Sequence, residues 1–401
     1  MNRPLRRPLT LLGLLGSLSL IGCKRLDAAM APVAVADLKP VLDADLADAL
    51  GRGPLAAGTH GGVTIGVVQH GVRRIYCYGT AGADSIFEIG SVTKTFTGLM
   101  LAQMAVQGQV RLDEPIRELL PPGTVAKPDG DEITLVDLSD LHAGLPRDPD
   151  NMQSSDPDNP LGEYDREALY AFLGKHGVAH PADAPFVYSN LAVGLLGVGL
   201  TNRAGVSYAA LLEEQVTGPL GMSDTATVLT PTQRGRMIQG YNEKGKPVPP
   251  WELDALAGAG AIRSTAGDML TYLEAQLHPE RLPANAALTP EGKTLPAAIA
   301  LSHIPRAVAN NGRHIALNWL RDDASGSYSH DGSTGGYSSS AIFNPEKDYA
   351  VVVLYNAPAG ETEFAEKLGE HIQARLTGKP AVKLMPHRTL GEWLRERGLI
   401  S

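Results

Sequence analysis

The chain is short of cysteine, has no basic run and shows no patterned histidine, and each shortage excludes a class of function. Its 35 basic residues stand against 44 acidic ones, a net charge of −9. Nothing supplies the phosphate-neutralising patch that a nucleic-acid partner requires, so no nucleic acid is expected. The eleven histidines are scattered, and none forms a His-x-x-x-His pair beside a carboxylate as zinc hydrolases do. No glycine loop has phosphate-cradling spacing either, so neither a metal nor a cofactor is expected. Neither an internal repeat nor a long low-complexity tract is present.

What is present begins with an address. Arg3, Arg6 and Arg7 form a positive stretch, and Leu9 to Ile21 an apolar one too short to span a bilayer as a mature helix. This reads as a leader over residues 1–22. Its end, Leu20-Ile21-Gly22-Cys23, is similar to the bacterial lipobox, which implies lipidation of Cys23 and a membrane-tethered lipoprotein facing the periplasm. Cys77 would then be the only cysteine free to pair, which excludes an intramolecular disulfide. In the strand-like run Arg74 to Tyr78 it reads as a small buried core residue.

The 401 residues can hold two or three domains, or one large α/β unit with an insertion. Val63–Gln69 and Val72–Tyr78 are β-branched and aromatic runs separated by His70-Gly71, a hairpin signal. A second pair, Tyr337–Phe343 and Tyr349–Tyr355, flanks the turn Asn344 to Asp348. Helical patterns follow Ser91 and cover Leu191–Leu200, Tyr208–Glu214, Ala266–Leu277 and Phe364–Leu376. Strands near both ends with helices between them predict an α/β (α+β) fold. Its antiparallel sheet draws on both termini, is flanked by helices, and carries a mainly helical insertion over about residues 105–255.

Three short segments could carry chemistry. In Phe87-Glu88-Ile89-Gly90-Ser91-Val92-Thr93-Lys94 a serine opens an amphipathic helix, and the lysine three residues on shares its face. Serine needs a base, and lysine becomes one when desolvation keeps it neutral. Tyr188-Ser189-Asn190 sets a phenol and an amide before a buried-looking helix. His330-Asp331-Gly332-Ser333 lies on a late strand whose glycine lets a substrate backbone approach. Singly each has an ordinary reading: Ser91 as a helix cap, Lys94 as a solvated residue, Tyr188 as core, Asn190 as a cap, His330 as surface.

Together, Ser91-x-x-Lys94, Tyr188-x-Asn190 and His330-x-Gly332 resemble the three motifs of class C β-lactamases, low-molecular-weight DD-peptidases and related serine esterases. The blocks Gly144-Leu145-Pro146, Pro219-Leu220-Gly221-Met222 and Ala257 to Met269 are similar to that family's connecting segments. The resemblance implies a β-lactamase/transpeptidase-like catalytic domain over residues 46–380. Segments 46–104 and 256–380 would be its α/β part and 105–255 its helical part. A tether and first helix (23–45) would precede it and an extension (381–401) follow. It further implies that Ser91 is acylated and that Lys94 and Tyr188 share the acid–base work. Asn190 would hold Lys94 and the substrate amide, and the backbone N–H groups of Ser91 and Ser333 would form an oxyanion hole.

Two positions depart from the class C pattern. His330 stands where a lysine is usual, a histidine familiar in the group's DD-peptidases, aminopeptidases and esterases and only fractionally charged near neutral pH. His142 is displaced by one position from the family's His-Thr-Ser block and reads as structural. The expected substrate is therefore a small molecule or a peptidoglycan-derived peptide: a β-lactam or a D-Ala-D-Ala peptide, alternatively a small ester. A catalytically silent envelope binding protein is the reading from another class. Arg263, Arg306 and Arg313 are equal candidates to meet a substrate carboxylate.

Overall fold

The computed structural model describes residues 31–156, 158–357 and 363–385. The leader, Cys23 and residues 386–401 lie outside the described residues.

Eight antiparallel strands form one sheet: β1 (Gly62–Gln69), β2 (Val72–Gly79), β3 (Ala307–Val308), β4 (His314–Ile315), β5 (Leu320–Asp322), β6 (Ser327–Ser333), β7 (Ser338–Asn344) and β8 (Tyr349–Tyr355). Their spatial order is β2-β1-β8-β7-β6-β5-β4-β3. The junction of β1 with β8, in register from Val63↔Tyr355 to Gln69↔Tyr349, joins the two ends of the chain, as the distribution of strands along the sequence predicts. His70 and Gly71 both adopt positive φ (50° and 76°), the combination that closes a two-residue hairpin with the sheet's own twist. The short edge strands β3 to β5 were not among the expected elements.

Seven helices matter here: α1 (Leu38–Asp45), α2 (Thr93–Val106), α3 (Arg166–His176), α4 (Asn190–Ala204), α5 (Ala266–Leu277), α6 (Pro290–Ser302) and α7 (Phe364–Thr377). The period of two along the central strands sorts their side chains onto two helical layers. Val63, Ile65 and Val67 with Val351, Val353 and Tyr355 face Leu38 and Leu42 of α1 and Phe364, Leu368 and Ile372 of α7. Ala350, Val352 and Leu354 face the other way, towards Met269, Leu270 and Leu273 of α5 and Phe96 and Leu99 of α2. Each valine, leucine, isoleucine, methionine or phenylalanine among them contributes roughly 1.5–3 kcal/mol on burial.

Helix α2 is buried all round from Thr93 to Met104, so it is a central helix and not the amphipathic one its sequence suggests. Its polar residues find internal partners: Thr95 Oγ1 donates to Val92 O at 2.8 Å and accepts from Tyr272 Oη at 3.1 Å. Thr97 Oγ1 donates to Gly258 O at 2.7 Å. Cys77 on β2 is half-buried, less enclosed than its apolar setting suggests. The reason is its place on the outermost strand, with a neighbour on one side only.

Candidate active site

The site lies where the start of α2 meets the end of β6. Phe87-Glu88 pairs with Arg263-Ser264 in a two-residue antiparallel bridge, after which the chain turns through Gly90 (φ 49°) into a 3₁₀ turn carrying Ser91 and then α2. Ser91 is thus in the turn ahead of the helix and makes no side-chain cap. The turn is pressed against β6 by glycine on both sides. A Cβ on Gly90 would lie 2.6 Å from Ser333 N, and one on Gly332 would lie 2.1 Å from Ile89 O. Ser339 Oγ also donates to Ile89 O at 2.8 Å, so Ser91 is fixed relative to the strand carrying Ser333.

Lys94 is not solvated but fully enclosed, at 0% exposure. Its Nζ lies 2.9 Å from Ser91 Oγ and 2.8 Å from both Asn190 Oδ1 and Ala259 O. Burial brings its pKa down to about 7, and the nearby Arg147 charge pushes the same way. Tyr188 lies with its ring 4.9 Å from Lys94 Nζ. Burial pushes its phenol up to about 12, against a hydrogen bond with Ser91 that pulls it down. Ser189, not Asn190, caps α4 by accepting from Ala192 N at 2.9 Å. Asn190 is thereby the first helical residue, its Oδ1 turned to Lys94 and its Nδ2 donating to Asp148 Oδ1 at 2.8 Å.

His330 is buried at 4% exposure and is not a surface residue. Desolvation, reinforced by the Lys94 and Arg313 charges, takes its pKa down to about 3. The fractional charge expected from an ordinary histidine is therefore absent near neutral pH. Its Nδ1 lies 2.8 Å from Asp331 O, so the neutral ring donates there and leaves Nε2 as an acceptor. The His330 ring is 6.2 Å from that of Tyr188.

A cleft of about 210 Å³ opens over Ser91, lined by Arg147, Asp148, Met152, Leu161, Asn190, Trp251, Leu253, Ser333 and Thr334 among others. None of the three candidate arginines lines it. Arg263 is buried against Glu88 at 3.4 Å and donates to the carbonyls of Thr227 and Trp251. Arg306 donates to Leu301 O, and Arg313 lines a separate polar cavity with Asp331, Glu366 and Glu370. His142 is absent from the cleft lining, with Nδ1 2.9 Å from Asp140 O.

Sequence reasoning missed Glu88 and Arg147. The Glu88 carboxylate accepts from Thr334 Oγ1 at 2.8 Å and Trp251 N at 2.7 Å, tying the nucleophile turn to β6 and to the cleft wall. Arg147 directly follows Gly144-Leu145-Pro146, and its carbonyl accepts from Asn190 N at 2.8 Å and Leu191 N at 3.2 Å. Its place immediately after a recognised block was the available signal.

A serine joined to an enclosed lysine, on a mixed sheet-and-helix scaffold of this topology, defines a serine hydrolase. The chain belongs to the Beta-lactamase family, whose domain it matches over residues 47–375. It is 28% identical to a β-lactamase of Pseudomonas fluorescens over 366 residues, 80% of this chain and 94% of that one. It is 35% identical to the D-alanyl-D-alanine-carboxypeptidase/endopeptidase AmpH of Escherichia coli (strain K12) over 196 residues, 48% of this chain and 49% of that protein. Among solved structures it resembles a class C β-lactamase from Rhodobacter sphaeroides with TM-score 0.66 and 23% identity, covering 83% of this chain and 96% of that one. The expected fold class and family are thus those found.

Proposed function

We propose that Ser91 forms an acyl-enzyme with a strained or peptide-like carbonyl, in β-lactams or in D-Ala-D-Ala cell-wall peptides. The observation that carries this reading is the 2.9 Å contact of Ser91 Oγ with a lysine whose pKa is brought to about 7. Neutral Lys94 takes the Ser91 proton as Oγ bonds to the carbonyl carbon. With its phenol pushed up to about 12, Tyr188 is protonated in the resting site and serves as the acid that gives the leaving nitrogen its proton as the C–N bond breaks. Water then cleaves the acyl ester and the protons return. The relatives named β-lactamase and carboxypeptidase support the two substrate classes.

A second reading, hydrolysis of small esters, is favoured by neutral His330, because no fixed charge stands at the third motif. Incubation with fluorescent penicillin, a chromogenic cephalosporin and a butyrate ester separates these. Fast cephalosporin turnover means a β-lactamase, a stable label without turnover means a peptidase-like enzyme, and ester cleavage alone means the esterase. Covalent label persisting in Ser91→Ala would sink the acyl-enzyme reading.

We also propose a lipid tether at Cys23, holding the hydrolase on the periplasmic side of a membrane. The arginine-led apolar stretch ending in Leu20-Ile21-Gly22-Cys23 supports it. Metabolic labelling with a fatty-acid probe should mark the wild type and not Cys23→Ala.

A further inference from the structure

With His330 neutral and Arg263, Arg306 and Arg313 outside the cleft, the third-motif side offers an anionic substrate no cation among the described residues. Of the described residues lining the cleft, only Arg147 carries a cationic side chain. Lys94, beneath the serine, is fully enclosed. The Arg147 backbone is fixed by two hydrogen bonds from the start of α4, so its side chain leaves the chain at a defined point beside Asn190. Its guanidinium lies 5.4 Å from the centre of the Tyr188 ring, a cation–π placement that holds it over the reacting end of the cleft.

Among the described residues, the acidic group paired with it is Asp148, 3.4 Å from Nε. Asp148 accepts from Asn190 Nδ2 with its other oxygen, so its charge is shared. An exposed pair of this kind contributes little. The Arg147 side chain stays 67% exposed where it lines the cleft, so its fork is open to a ligand there.

We infer that Arg147 is the specificity-determining residue that binds a carboxylate carried by the substrate, with the guanidinium fork donating two hydrogen bonds to it. The inference rests on the acyl-enzyme reading and assigns that site its preference for anionic over neutral substrates. It moves the charge recognition from the third motif to the loop before α3, where it meets the start of α4.

The test uses a matched pair, 3-carboxyphenyl phenylacetylglycinate and its methyl ester, on the whole protein and on Arg147→Gln and Arg147→Lys. In Arg147→Gln, kcat/KM for the carboxylate should fall about tenfold or more, chiefly through KM, the size of losing one charge-assisted interaction. The methyl ester should lose clearly less, since it makes no such interaction, and the loss it does show reports the Lys94 base that the Arg147 charge also tunes. Arg147→Lys should keep part of the preference, and added salt should erase the wild type's. Equal losses on both esters, or none on either, would overturn the inference.

The same pair titrated calorimetrically into Ser91→Ala measures binding without chemistry. There the carboxylate should bind more tightly, and Arg147→Gln should remove the difference; an unchanged difference would overturn the inference. If wild-type Ser91 is acylated by neither ester, the acyl-enzyme reading fails, while the binding comparison still decides the role of Arg147.

Discussion

Lys94 Nζ lies 2.9 Å from Ser91 Oγ, and the packing around the start of α2 leaves the lysine no contact with solvent. Enclosure lowers its pKa to about 7, so the neutral, proton-accepting form is present above that pH and lost below it. The rate of Ser91 acylation should therefore rise with pH through a midpoint near 7. Lys94→Met, which cannot accept a proton, should lower it by roughly 10²–10⁴-fold. A pH profile that is flat from about pH 5 to about 8 would remove Lys94 from the role of base.

Gly332 has no room for a side chain: a Cβ there would lie 2.1 Å from Ile89 O, in the turn that carries Ser91. Gly332→Ala must push the turn away from β6 and so displace Ser91 from Ser333. We expect acylation to fall by about a hundredfold or more, since displacements of about 1 Å have that effect. Far-ultraviolet circular dichroism should change little, because the sheet register on either side is untouched. Undiminished acylation would mean that the contact of turn and strand does not position the nucleophile.

The fold was legible where periodicity is strong. The hairpins, α4, α5 and α7 all fall within a few residues of the segments that their sequence patterns mark. Helix α6 was not, because Pro290, Gly292 and Pro296 interrupt its helical pattern. Pro290 instead begins the helix, and Thr289 caps it by accepting from Gly292 N at 3.0 Å. Ser91, Lys94, Tyr188 and Asn190 stood out because residue type and short spacing carry their chemistry. The charge of His330 did not, because it depends on burial, which a sequence of ordinary polar residues around it does not announce. Glu88 and Arg147 act through partners distant in sequence, Thr334 and Trp251 in one case and Tyr188 in the other.

Glu88 and Arg263 form a buried pair, with side chains 4% and 6% exposed. Arg263→Met leaves the carboxyl without its cation and should cost roughly 3–5 kcal/mol in urea unfolding. Burial already raises Glu88 to about 7 against the pull of Arg263, and removing the arginine raises it further. The unfolded chain ionises this carboxyl near its ordinary value while the folded one resists, so the loss should grow from pH 5 to pH 8. The double variant Arg263→Met with Glu88→Gln should recover part of it. A loss that is equal at both pH values would show that the pair is not what holds this wall of the cleft.

Asp331, beside His330 on β6, has its side chain on the opposite cavity with Glu366 and Glu370 of α7 and with Arg313. Desolvation and the two glutamates raise its carboxyl to about 7, although Ser340 and Arg313 pull it down. The folded protein therefore keeps a proton that the unfolded chain has released, and stability should fall as pH rises from about 4 towards 7. Asp331→Asn removes this residue's share of the slope and should stabilise the protein by on the order of 1 kcal/mol at pH 8, where the wild-type carboxyl is ionised. A shallower decline should persist, since Glu366 and Glu370 are raised as well. Activity should be little altered, because His330 is held by the backbone carbonyl of residue 331 and not by its side chain. Chemical unfolding of both proteins at several pH values decides it: parallel curves would show that Asp331 is ionised at no cost to the fold.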